Sequence, residues 1–254
     1  MLPFKDAGQF DLISAHNWMQ HAENPATVLK NLISVLKIKG RIYLSLYQSG
    51  TFRFFTAQIA RSVVKRDYYD LMKGLVKYHF PAGFKEFNNP DDIYMENIFD
   101  DYFVPYCNTT TYEIVIEDAK KLGCIPLTPK SVSDEIYGLD NIPLRIGFEK
   151  KEEVNYSGRL HFTKQVDEFS NTSAPFMVKS IELAEKIITH LTKLKDPFIT
   201  CSFCLGLYYL RAATSRITDA EKKHKMLQAY LEMCLSKSTK HISAFHDVQK
   251  LYEK

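Results

Sequence analysis

The feature that most constrains this chain lies in its first fifty residues: an apolar run, a capped helix and a second apolar run, in that order. Phe10-Asp11-Leu12-Ile13-Ser14-Ala15 follows a polar turn, Lys5 to Gln9, and reads as a strand buried on both faces. Asn24-Pro25 supplies a helix start, with Asn as the cap and Pro at the first helical position. Val28, Leu29, Leu32, Val35 and Leu36 recur at helical spacing, and Gly40 is the expected closing residue. Arg41 to Tyr47, β-branched and aromatic, then reads as a second strand. Strand, helix and strand within about forty residues make a βαβ unit, which implies parallel pairing and a right-handed crossover.

Ligands of such sheets sit beyond the carboxyl ends of the strands. The first strand's end presents Ser14, His16, Asn17, Trp18 and His21. The second presents Tyr47, Gln48 and Ser49, with Gly50 permitting close approach. Polar and aromatic residues converge here at a position that the architecture makes functional.

Several motifs in this stretch occur together and in order. They are Leu2-Pro3-Phe4, Phe10 to Ile13, His21, Asn24-Pro25, and Leu36 to Gly40 as the turn into the second strand. In that order and spacing they resemble the middle of a class I S-adenosylmethionine-dependent methyltransferase. Leu46 to Gly50 and Asp101-Tyr102-Phe103-Val104-Pro105 are similar to stretches of one subgroup of these enzymes, so the resemblance extends over residues 1 to 150. It implies an α/β fold: a partial Rossmann-like methyltransferase sheet, equivalent to strands 4-5-7-6, followed by an α-helical region. It also implies S-adenosyl-L-methionine as cofactor, with Ser14 and His16 on the cofactor side. Asn17, Tyr47 and Gln48 fall on the substrate side, and His21 is the candidate catalytic residue, able to orient or deprotonate an acceptor. A structural role for His21, bonding a loop carbonyl, stands beside that reading.

The family's Gly-rich loop and its two acidic cofactor contacts would lie upstream of Met1, and the ten glycines form no Gly-x-Gly pattern. The chain therefore reads as truncated at its amino end, with the cofactor bound only if the missing part is supplied. Lys39 stands where the family's turn has Gly; a left-handed Lys39 would cost roughly 1–2 kcal/mol. With the upstream strands absent, the first strand would become an edge, inviting a homo-oligomer or a protein partner.

Downstream, Thr51 to Tyr78 reads as one helix with Arg61, Lys65 and Arg66 exposed, and 80–105 as a loop-rich cover. Thr111 to Leu122 reads as a helix stopped by Gly123, and Cys124 to Lys130 and Leu144 to Phe148 as paired final strands. The charged run Glu149 to Glu153 is the expected domain edge, separating a domain at 1–150 from a linker at 151–174 and a helical interaction region at 175–254. Helices are expected over Ile181–Leu191, Phe198–Thr214, Ala220–Leu235 and Ser243–Tyr252.

Composition narrows the rest. With 33 basic and 30 acidic residues, the charge is too balanced to indicate nucleic acid. The uncharged stretch Pro197 to Leu210 is shorter than the roughly 20 apolar residues of a membrane span. Five cysteines and no signal peptide imply reduced thiols in a cytoplasmic chain. Cys201-Ser202-Phe203-Cys204 lacks a second pair, and His241 and His246 lack further ligands, so no metal is expected. The methyl acceptor is unassigned. A non-catalytic, methyltransferase-like scaffold that binds a protein through its helices is the competing expectation.

Overall fold

The computed structural model describes residues 10–79, 97–127, 144–163 and 174–236. The Leu2-Pro3-Phe4 motif, most of the expected loop cover, the strand end at 128–130, His241, His246 and the expected fourth helix lie outside them. The described chain divides into two compact units, one of residues 10–49, 105–127 and 144–163, the other of residues 50–79, 97–104 and 174–236.

The first unit is a four-stranded sheet of order β1-β2-β4-β3. Strand β1 (Phe10–His16) pairs parallel to β2 (Leu36–Leu46), and β4 (Leu144–Lys150) runs antiparallel to both β2 and β3 (Cys124–Pro126). This is the expected 4-5-7-6 arrangement, with β1 at one edge. Helix α1 (Pro25–Ser34) begins as its sequence dictates: Asn24 Oδ1 accepts from Thr27 N at 2.9 Å, and Pro25 occupies the first turn.

The end of α1 differs from expectation. The helix stops at Ser34, and Leu36 to Gly40 belong to β2. Phe10 N donates to Val35 O and Phe10 pairs with Leu36, so the sheet recruits residues that helical spacing would have kept. The register then jumps, with Leu12 opposite Arg41, so the Lys37–Gly40 segment bulges out of the ladder. Lys39 sits in that bulge at φ 66°, in the left-handed region.

Helix α4 (Tyr112–Lys121) is capped by Thr111, whose hydroxyl accepts from Ile114 N, and ends at Gly123 with φ 79°. A Cβ on Gly123 would lie 2.5 Å from Glu152 O, so both its conformation and its neighbour require glycine. α1 and α4 flank a core of Leu29, Ile33, Ile42, Leu44, Leu46, Ile146 and Phe148. Buried Asp118 of α4 accepts from His161 N and Phe162 N at 2.8 and 2.7 Å, anchoring a 3₁₀ turn at His161–Thr163.

The sheet's other face carries exposed side chains. Leu12, Tyr43 and Ile125 are exposed, in rows with Arg41 and Arg145. In β1 only Ala15 is fully buried, which corrects the expectation of burial on both faces. The single apolar run of β1 could not reveal which of its side chains the core takes in.

Lys150, inside the expected charged break, is instead the last residue of β4 and is 1% exposed. Its ammonium donates to Ile33 O at 3.0 Å and Leu36 O at 2.8 Å, and pairs with Glu153. It therefore ties the end of α1 and the start of β2 to the final strand.

The second unit is helical among its described residues. The expected single helix from Thr51 is two, α2 (Phe52–Arg61) and α3 (Tyr69–His79), separated by a 3₁₀ turn at Arg66–Tyr68. Ser62 Oγ bonds back to Gln58 O, the two β-branched residues Val63 and Val64 follow, and the helix ends there. Lys65 and Arg66 are exposed as expected, but Arg61 is half-buried and donates to Asp101 O and Val104 O. α5 (Pro175–Leu194), α6 (Pro197–Thr214) and α7 (Ala220–Ser236) fall where the apolar pattern puts them.

α6 is buried on nearly every side, because its sequence is apolar all round rather than striped. Gly206 lets α7 approach it: a Cβ there would collide with the Tyr230 ring, which stacks on Phe203 and donates from Oη to Phe203 O. Cys201 and Cys204 are both buried in α6, and burial pushes the Cys201 thiol up to about 12. They are structural thiols by surroundings as well as by spacing. Among the described residues no helix is long and apolar enough to cross a membrane.

The second unit also encloses charge. Asp101, in a π-helical turn at Phe99–Phe103, is fully buried and paired with Arg53 and Arg211. Burial opposes charge on Arg211, but the Asp101 carboxylate more than compensates and raises its pKa. His224 of α7 shares a hydrogen bond with Ser180 Oγ and packs against Phe52, Phe55 and Phe176. Burial, reinforced by the Lys223 cation, lowers its pKa to about 4.

Candidate functional site

The carboxyl ends of β1 and β2 are joined, within the first unit, by a third segment at residues 105–111. Asn17 closes β1 with φ 50°, a conformation Asn tolerates better than most residues. Its N–H donates to Ser45 O at 2.9 Å and its Oδ1 accepts from Ser45 Oγ at 2.7 Å. The side-chain carbonyl expected to face substrate is therefore engaged in holding the two strand ends together.

A short 3₁₀ turn, Met19–His21, follows. Asn108 donates to it twice from its side chain, to Gln20 O at 2.8 Å and Ala22 O at 2.9 Å. Gln48 forms a parallel bridge with Thr110; Thr110 N donates to Tyr47 O and Ser49 N to Thr110 O. Three stretches distant in sequence are thus laced into one rim.

His21 lies on that rim, half-buried. Its Nδ1 is 3.1 Å from Tyr106 O, and a carbonyl can only accept, so Nδ1 carries a proton, and in the neutral ring the lone pair falls on Nε2. The Tyr47 ring meets the imidazole edge-on at 5.4 Å. A loop carbonyl and an aromatic neighbour together fix the tautomer and restrict the ring.

The structure brings together His21, Asn17, Tyr47 and Gln48. It does not join Ser14 and His16 to them: Ser14 Oγ and His16 Nε2 share a 2.7 Å hydrogen bond on the exposed side of β1. No carboxylate hydrogen-bonds to Ser14, His16, Asn17 or Gln20 among the described residues. Among those residues, too, no group of three or more His, Cys, Asp or Glu could hold a metal.

Sequence reading did not single out Gln20, Tyr106, Asn108 or Thr110. Gln20 is fully buried, yet neither its amide oxygen nor its nitrogen has a partner. Ser49 Oγ and Thr110 Oγ1 are also buried without one. Each such group costs about 1–3 kcal/mol when left unsatisfied. The run Asn108-Thr109-Thr110-Thr111, four side chains able to bond backbone ahead of a helix, was the available signal. Its pairing with a turn 88 residues earlier was not legible.

Fold and rim together define a class: a mixed α/β sheet with its candidate site at the strand ends. Residues 1–44 match a family model described as a methyltransferase domain. The match covers the βαβ unit and part of such a domain, and it supports kinship with class I S-adenosylmethionine-dependent methyltransferases. No curated protein and no solved structure gives a match.

Proposed function

We propose that this chain contributes the acceptor side of an S-adenosylmethionine-dependent methyltransferase. The observation that carries this reading is the His21 imidazole, held through Nδ1 on the Tyr106 carbonyl at the end of the very strands that the family match covers, which leaves Nε2 as the acceptor of the neutral ring. In that position Nε2 can accept a proton from an acceptor hydroxyl or amine. Tyr47 restricts the ring, and Asn17 fixes the spacing of the strands beneath it.

S-adenosylmethionine, when bound, supplies an electrophilic methyl group. The residues present fit one side of it only. Ser14 and His16 offer an exposed hydroxyl and imidazole, but the sequence has no Gly-x-Gly loop, and among the described residues no carboxylate hydrogen-bonds to them. The chain alone does not fit the whole cofactor, and its own residues act on the acceptor. A cytoplasmic setting belongs to this reading, supported by five cysteines that form no disulfide.

Calorimetric titration of the purified chain with S-adenosylmethionine tests it. Saturable binding at micromolar concentration supports the methyltransferase reading, and absence of heat at millimolar cofactor excludes catalysis by this chain alone.

A further inference from the structure

Four buried polar atoms without partners fall within the rim: Gln20 Oε1 and Nε2, Ser49 Oγ and Thr110 Oγ1. They are not scattered. Gln20 lies on the turn that Asn108 grips, and Thr110 is two residues beyond Asn108. Ser49 N donates to Thr110 O, so the three side chains stand on backbone segments hydrogen-bonded to one another. Gln20 is 0% and Thr110 1% exposed, so bulk water does not satisfy them. Buried polar groups are ordinarily paired, and a cluster of exceptions calls for something to pair with them.

The chemistry of the cluster limits what that is. A glutamine amide presents one acceptor and one donor side by side, and a hydroxyl can serve as either. None of these groups is charged, and a buried ionic group would find no counter-charge among them. The complement is a neutral group with its own adjacent donor and acceptor, such as a carboxamide or the edge of a nitrogen heterocycle.

We propose that Gln20, Ser49 and Thr110 form the subsite that receives a neutral, amide-like group of the methyl acceptor, with Gln20 as the specificity-determining residue. This rests on the methyltransferase reading for the word acceptor, but the binding itself needs no cofactor. Gln20 and His21 share the short turn Met19–His21, so the subsite is built on the same turn as the candidate catalytic imidazole.

Three probes of similar shape and different charge test it on the full ¹⁵N-labelled chain: benzamide, benzoate and benzylammonium. The reporter is the side-chain NH₂ resonance pair of Gln20, assigned in the wild type and verified by its loss in Gln20→Met. Benzamide is expected to shift that pair saturably, and benzoate and benzylammonium to bind at least about tenfold more weakly. Ser49→Ala and Thr110→Val should each weaken benzamide severalfold, and they keep the test open if Gln20→Met does not fold. No saturable shift up to the solubility of benzamide, the result expected if ordered water alone fills the site, overturns the proposal. Equal or tighter binding of benzoate overturns it as well. S-adenosylmethionine titration of the same sample reads the methyltransferase assignment separately, so either idea can fail without the other.

Discussion

The buried ionic cluster of the helical unit and the strand-end rim of the sheet unit handle their polar groups in opposite ways. In the cluster buried charge is met by charge, with Asp101 between Arg53 and Arg211. In the rim Gln20 is fully buried with neither side-chain amide atom partnered, although Asp118 and Lys150 of the same unit are buried and bonded, and the ion pair Lys37–Asp11 lies in solvent. A cluster that satisfies its charges resists unfolding. A rim that leaves polar groups unsatisfied gives up stability.

The sharpest way to break that comparison is to remove Asp101. Asp101→Asn leaves two guanidinium groups facing a neutral amide in the interior, and urea unfolding should show a loss of about 3–5 kcal/mol. A loss below about 1 kcal/mol would put the buried cluster on the footing of an exposed pair such as Lys37–Asp11, and the contrast would collapse.

A second, smaller effect is expected from His224. Unfolded, the imidazole takes a proton near its ordinary pKa of about 6.5; folded, it does so only near 4. The unfolded state therefore binds more protons between these values, and stability falls as pH falls through that window. The loss should approach about 3 kcal/mol at pH 4 and then level off. Unfolding midpoints measured from pH 7 to 4 should show this slope, and His224→Gln should flatten it.

The smallest effect belongs to the exposed face. Leu12→Lys alters a side chain that is 60% exposed, so stability should change by no more than about 0.5 kcal/mol. Self-association should drop, however, because a lysine on an edge strand opposes pairing. Light scattering against concentration reads this. An unfolding loss above about 2 kcal/mol would mean that the face is covered in solution.

Local signals carried much of the fold. Asn24-Pro25, Thr111 and Gly123 each act through backbone a few residues away, so those helix ends were readable, while the strand order came from the resemblance to methyltransferases. Whether Lys39 takes a left-handed conformation was open in the sequence, and the structure gives it φ 66°. What escaped depends on partners far along the chain. Leu36 left its helix because Phe10 claimed it for the sheet, and Arg61 turned inward because Asp101 and Val104 offered carbonyls 40 and 43 residues away. At the site, the strand-end position of His21, Asn17 and Tyr47 was legible. The third wall at 105–111 was not, because nothing in Asn108 or Thr110 names Gln20 or Tyr47 as its neighbour.

Lys150 has a consequence for the order of events during synthesis. The carbonyls of Ile33 and Leu36 await an ammonium that lies 117 and 114 residues later. At about 5–20 residues per second, that delay is about 6 to 23 seconds. Through that interval the βαβ unit can form its helix and its parallel pair, but the junction between α1 and β2 stays hydrated. The last of the described strands to arrive thus also locks the crossover between β1 and β2, so that junction is completed from its carboxyl side backwards.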